Sequence, residues 1–169
     1  MSARVLIAGV GNVFLGDDGF GVEVACQLAE RPLPDGVVVT DIGIRALHLA
    51  FQLLDKPALL MVVDTVDRGE RPGTLFLLEP QIGVRTDGMA DAHSMTLETV
   101  IASLRGLGGE VPPILLIGCQ PEFIGERMGL SPVVQRAVPR AVALVESTIV
   151  RTIEGRPSSA ANDVAEETV

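Results

Sequence analysis

The sequence predicts an α/β fold: a three-layer αβα sandwich around a five-stranded, mostly parallel sheet with one antiparallel edge strand. Short apolar runs rich in Val, Ile and Leu recur along the chain, as strands covered on both faces require. Between them, apolar residues fall at i, i+3, i+4 and i+7, the spacing of one helix face. The two kinds of segment alternate, which is the chain order of a sheet packed between helices.

The first strand is residues 4–8 (RVLIA), and the glycines that follow it, from Gly9 to Gly21, let the backbone turn sharply. Val22, Ala25, Cys26 and Ala29 mark a helix ending near Ala29, and residues 37–42 form the second strand. Leu47, Ala50, Phe51 and Leu54 supply the stripe of a second helix, and residues 58–63 the third strand, terminated by Asp64. Eight residues separate Asp64 from Gly73. A parallel crossover needs about a dozen, so the fourth strand, 74–78, is expected to be antiparallel and at an edge. Leu97, Val100, Ile101 and Leu104 mark the third helix, ahead of a fifth strand at Ile114–Cys119. Ser131 and Pro132 then open a long helix as N-cap and first helical residue, with Pro139 expected to kink it. Residues 1–155 read as one domain, and 156–169, without apolar periodicity, as a disordered tail.

Composition narrows the function classes. A chain of 169 residues with 47% hydrophobic content can bury one full core. A net charge of −9 and a pI near 4.6 oppose nucleic-acid binding, which relies on clustered Lys and Arg. Cys26 and Cys119 have no C-x-x-C spacing, so neither a disulfide framework nor a structural zinc site is expected. No apolar run approaches the roughly eighteen residues of a membrane span, and the first strand starts too early for a leader, so a cytoplasmic protein is expected. The edge strand runs into Glu79-Pro80, which discourages strand pairing between molecules, and a monomer is expected.

The segment from Gly9 to Gly21 (GVGNVFLGDDGFG) carries the chemistry. It opens like a phosphate-binding loop, but the third fingerprint position is Phe14 instead of glycine. Asp17 and Asp18 would then stand where a pyrophosphate should lie and would repel it, so a nucleotide site is disfavoured. Two carboxylates there point to a cation, although one of them could serve as a helix cap. Asp64 ends the third strand, and in a doubly wound sheet the carboxyl ends of strands one and three flank the usual ligand crevice. Asp18 and Asp64 are therefore expected to converge. His93, between a polar glycine-bearing stretch and a helix, adds a nitrogen to a set suited to a borderline metal such as nickel, zinc or iron.

Phosphoacceptor receiver domains have a similar acidic pocket, but the fifth strand here lacks their lysine. His48 reads as a boundary residue of the second helix, and Cys119 as a buried structural thiol. No G-x-S-x-G elbow or Cys-His pairing is evident, so nucleophilic catalysis is disfavoured. Activation of water by a metal or a carboxylate is the alternative, with Asp17 as the spare base. A non-catalytic divalent-metal-binding signalling or carrier domain would present the same crest.

The residues Gly9-x-Gly11-Asn12, Asp17-Asp18-Gly19-x-Gly21, Asp64, Pro72-Gly73-Thr74, His93, Gly118-x-x-Pro121-Glu122 and Gly129-Leu130-Ser131-Pro132 occur in an order that resembles the [NiFe]-hydrogenase maturation proteases. The resemblance runs from about residue 4 to 150. It implies a cytoplasmic endopeptidase that removes the C-terminal extension of the hydrogenase large-subunit precursor after nickel insertion. It also implies that nickel arrives with the substrate, that no organic cofactor is used, and that Asp18, Asp64 and His93 are the nickel-contacting positions. The first of these is often Glu in the family, so Asp18 has a shorter reach. Many members carry Asp-Gly-Gly-Thr after the second strand where this chain has Asp41-Ile42-Gly43-Ile44-Arg45. The resemblance makes Asp41, Gly43 and Arg45 the candidate substrate contacts, with Gly43 preserving the turn.

Overall fold

The computed structural model describes residues 4–80 and 92–155, with side chains from residue 97 onward in the second stretch. Its strands are β1 (Val5–Val10), β2 (Val37–Gly43), β3 (Leu59–Thr65), β4 (Leu75–Leu78) and β5 (Ile114–Cys119). A four-residue 3-10 turn, Gly16–Gly19, leads into α1 (Phe20–Ala29), and α2 (Ala46–Leu53), α3 (Ala92–Gly106) and α4 (Pro132–Ile153) follow. The sheet order is β2-β1-β3-β5-β4. All pairs are parallel except β4 with β5, so the short join after β3 forces the antiparallel edge that its length predicts.

β1 and β3 are buried at every position, as central parallel strands must be, whereas β2 at the edge fully buries only Ile42. Two apolar clusters cover the two faces. One joins α1 and α4 to the sheet through Phe20, Val24, Leu28, Val134, Val138 and Val142. The other joins α2 and α3 through Leu49, Leu53, Val100, Ile101 and Leu104. These are the three layers.

Three expectations about helices need correction or refinement. In α1 the expected stripe holds at Val22 and Ala25, but Cys26 and Ala29 are exposed and the face toward the sheet is completed by Phe20, Val24 and Leu28. In α2 the buried residues are Leu49, Ala50 and Leu53, while Leu47, Phe51 and Leu54 are exposed. The sequence ALHLAFQLL satisfies the helical spacing in both of two registers one residue apart, and periodicity could not choose between them. α4 is one continuous helix with Pro139 inside it. Ser131 does occupy its N-cap, in extended backbone, but its hydroxyl makes no cap bond because it is used elsewhere. The expected tail, 156–169, lies outside the described residues.

α1 packs against the sheet at unusually close range through glycine. A Cβ at Gly21 would lie 2.1 Å from the Val63 carbonyl oxygen and 2.4 Å from that of Val10. Both obstacles are backbone of central strands and cannot yield, so only glycine lets the helix start seat over the β1 and β3 carboxyl ends. Gly21→Ala should therefore destabilise the fold by about 3 kcal/mol and lower Tm by roughly 5–10 °C in thermal unfolding. An unchanged Tm would show that α1 can lift off without loss.

Candidate active site

The loops that leave β1 and β3 meet at the carboxyl crest of the sheet. β1 and β3 pair in parallel up to Gly9 with Val63, so Asp64 stands one residue beyond that pairing, beside the turn at Gly11. Gly11 has φ +136°, a conformation that side-chain-bearing residues avoid, and it is wedged between the two acids. A Cβ there would lie 1.8 Å from the Asp18 carbonyl oxygen and 3.7 Å from Asp64 Oδ1.

Asp18 and Asp64 are 7% and 4% exposed. Asp18 Oδ2 accepts the Asn12 N–H at 2.9 Å, and its Oδ1 accepts the Thr65 hydroxyl at 3.4 Å. Asp64 Oδ1 accepts the Thr65 N–H at 2.7 Å. One threonine thus touches both carboxyl groups, through its side chain to one and its main chain to the other. The hydroxyl bond to Asp18 links the acidic turn to the end of β3, where Asp64 lies. Carboxyl oxygens are the donor type that divalent cations take. His93 is the second residue of α3, and its side chain lies outside the described residues. Among the described residues no group of three His, Cys, Asp or Glu gathers as a metal site.

Asp17 does something different from Asp18. It is wholly buried, and neither aspartate caps a helix with its side chain. Asp17 Oδ2 accepts the N–H groups of Glu122 and Phe123 at 2.8 and 2.9 Å and the Ser131 hydroxyl at 2.9 Å. Its Oδ1 accepts the Ser131 N–H at 2.6 Å. Four donors consume the carboxylate in tying the 122–131 loop to the crest. A spare-base role, which needs an oxygen facing a substrate water, does not follow from this geometry. Ser131 gives its hydroxyl to this tie, which is why it is missing from the α4 cap.

The segment after β2 is built from its own backbone contacts. Gly43 has φ +56°, and its carbonyl accepts the Gly11 N–H at 3.0 Å, joining this turn to the crest. Arg45 folds back on its own turn, donating from Nε to the Ile42 carbonyl at 3.2 Å and from Nη2 to the Asp41 carbonyl. Asp41 is exposed, as is His48, whose Nε2 lies 3.3 Å from Gln52 Nε2 on α2. On the β5 side, Gln120 is buried and orders the join after β3. Its Oε1 accepts the N–H groups of Arg68 and Glu70, and its Nε2 donates to Asp67 Oδ1. That bond and the Gly69 N–H hold the Asp67 carboxyl below its usual range.

Thr65, Gln120 and the tie between Asp17 and Ser131 are the parts the sequence reading did not single out. The polar pair Asp64-Thr65 at the end of an apolar strand was a signal for the first. A lone glutamine straight after the buried strand ILLIGC was one for the second. Nothing in the spacing of 17 and 131 announces their bond.

A family model described as hydrogenase maturation protease matches residues 22–148. Coenzyme F420 hydrogenase subunit delta of Methanothermobacter thermautotrophicus is 33% identical, the match covering 85% of this chain and 92% of that protein. Hydrogenase 2 maturation protease of Escherichia coli is 28% identical over 95% of this chain and 99% of that one. Among solved structures, the hydrogenase maturating endopeptidase HybD from E. coli superposes with a TM-score of 0.76 at 27% identity, covering 88% of this chain and 93% of that chain.

Two outcomes follow from the site. Asp17→Asn places amide hydrogens against N–H donors, and should cost about 2–3 kcal/mol, read as a lower urea midpoint with faster proteolysis within 122–131. Burial pushes the Cys119 thiol up to about 12, and burial with nearby Asp41, Glu23 and Glu30 raises Cys26 less strongly. Iodoacetamide at pH 8 should therefore label the exposed Cys26 slowly and leave Cys119 intact until denaturant is added, as peptide mapping will report.

Proposed function

We propose that this chain, which belongs to the hydrogenase maturation protease family, removes the C-terminal extension of a [NiFe]-hydrogenase large-subunit precursor after nickel insertion. The observation that carries the reading is the meeting of Asp18 and Asp64 through Thr65 at the sheet crest. In this reading nickel is part of the substrate, held by the precursor, and Asp18, Asp64 and His93 complete its surroundings. Three enzyme donors make recognition conditional on a filled precursor, so an empty one is left uncut.

The chemical step in this reading is hydrolysis. The incoming metal supplies Lewis-acid polarisation, and this chain's residues orient the scissile peptide near it. Thr65 and the Asn12 N–H fix the direction of the two carboxylates, which a flexible side chain could not hold unaided. Asp17 acts at one remove, by keeping Asp18's turn seated. Asp41, Gly43 and Arg45 form the neighbouring turn and are the proposed contacts of the substrate main chain, with the backbone-bonded Arg45 able to exchange its carbonyl partners for those of a peptide. No helix among the described residues is long and apolar enough to cross a membrane.

Purified protein mixed with nickel-loaded large-subunit precursor should yield a shortened subunit by mass spectrometry, and none with nickel-free precursor. A metal carrier would yield none with either. Asp64→Asn, Asp18→Asn and His93→Ala should each reduce cleavage by about a thousandfold or more with an unchanged circular dichroism spectrum. Wild-type rates in any one of them remove that residue from the reaction.

A further inference from the structure

The chain has five phenylalanines, and only Phe20 and Phe76 are in the core. Phe14 and Phe123 are 65% and 45% exposed, and with Val13, Ile124 and Met128, itself 67% exposed, they crowd two loops that touch. Backbone bonds sew those loops together: Gly16 N–H to the Arg127 carbonyl at 2.7 Å, Asp17 N–H to Phe123 at 3.0 Å, Arg127 N–H to Phe14 at 3.1 Å and Gly125 N–H to Leu15 at 3.3 Å. The Asp17 carboxylate adds its own bonds to the Glu122 and Phe123 N–H groups. Large apolar side chains are normally covered, and a cluster held out on a rigid, hydrogen-bonded platform is the anatomy of an interface anchor. A disordered loop would lose entropy on binding that this platform has already lost on folding.

We infer that the Phe14, Phe123 and Met128 platform is the docking surface for the folded body of the large-subunit precursor, an inference that rests on the function proposed above. Two observations select this occupant. The platform is continuous with the crest, since Asp17 in its base is the sequence neighbour of Asp18, and a peptide delivered to Asp18 and Asp64 brings its parent domain against these side chains. Each copy of this chain carries a net charge of −9, so pairing two such platforms would bring strongly like-charged molecules together. A heterologous partner with an apolar face and a neutral or basic rim meets no such repulsion.

The test measures binding and cleavage of nickel-loaded precursor by the full chain. Phe14→Ser combined with Met128→Ser should weaken precursor binding by about 30-fold or more in biolayer interferometry. KM should rise with kcat at saturation little changed, a split that loss of a donor to the reacting site would not give. Val150→Ser with Ile153→Ser changes exposed apolar residues at the far end of α4 and should match wild type. Should the double variant lose its cooperative thermal transition, the single changes Phe14→Ala and Met128→Ala carry the same comparison at smaller effect. Wild-type cleavage with unaltered binding in the platform variants overturns the docking surface and leaves the protease reading standing. A wild-type chain that neither binds nor cuts the precursor overturns both. A wild-type dimer in analytical ultracentrifugation that the platform variants dissolve assigns the surface to self-association and overturns the inference.

Discussion

The four hydrogen bonds on the Asp17 carboxylate are the constraint from which the rest of the crest follows. A charge with no exposed surface is costly unless every lone pair has a donor, and here the donors come from a loop more than a hundred residues away in sequence. The loop after β5 therefore cannot drift from the turn after β1. Because Asp18 is the next residue in the same 3-10 turn, its position is fixed by the same bonds. Two adjacent aspartates thus divide their work, one facing a nest of donors and the other accepting from Asn12 and Thr65.

Glycine provides the second condition. The helix that follows the acidic turn lies so close to the sheet that Gly21 meets the carbonyls of Val10 and Val63. Without that approach the turn would ride higher, and Thr65 could not reach Asp18 while its own N–H held Asp64. The apparent dinucleotide signature is explained by the same fact. Glycines are needed wherever a helix start crowds a strand end, whether the space serves a phosphate or a pair of acids.

The sheet was legible because its signals are local and redundant: five apolar runs, and a join after Asp64 too short for a crossover. The neighbouring of the acidic turn and the Asp64 end of β3 was legible because parallel topology brings the ends of strands one and three together whatever their side chains. The face of α2 was not, since residues 46–54, apolar except for His48 and Gln52, fit two helical registers, and tertiary packing made the choice at Leu49 and Leu53. Asp17 was misread for a related reason. Its role depends on Ser131 and the Glu122 and Phe123 amides, and a bond between a side chain and distant main chain leaves no pattern in one sequence.

Selectivity in such a protein has to be divided between two kinds of contact. Under the proposed function, apolar anchors such as Phe14 and Met128 would supply area and desolvation, but those quantities would be nearly the same for a precursor with or without its metal. Carboxyl groups at a crest are sensitive to a cation, yet two or three of them bury too little surface to hold a folded protein. An enzyme relying on either alone would cut indiscriminately or bind too weakly to cut. With Asp17 tied beneath the proposed anchors and Asp18 among the proposed donors, in consecutive positions of one short turn, both contacts would sit on a single piece. A partner seated on one is then registered against the other within the precision of a hydrogen bond, which is the geometric accuracy that peptide hydrolysis demands.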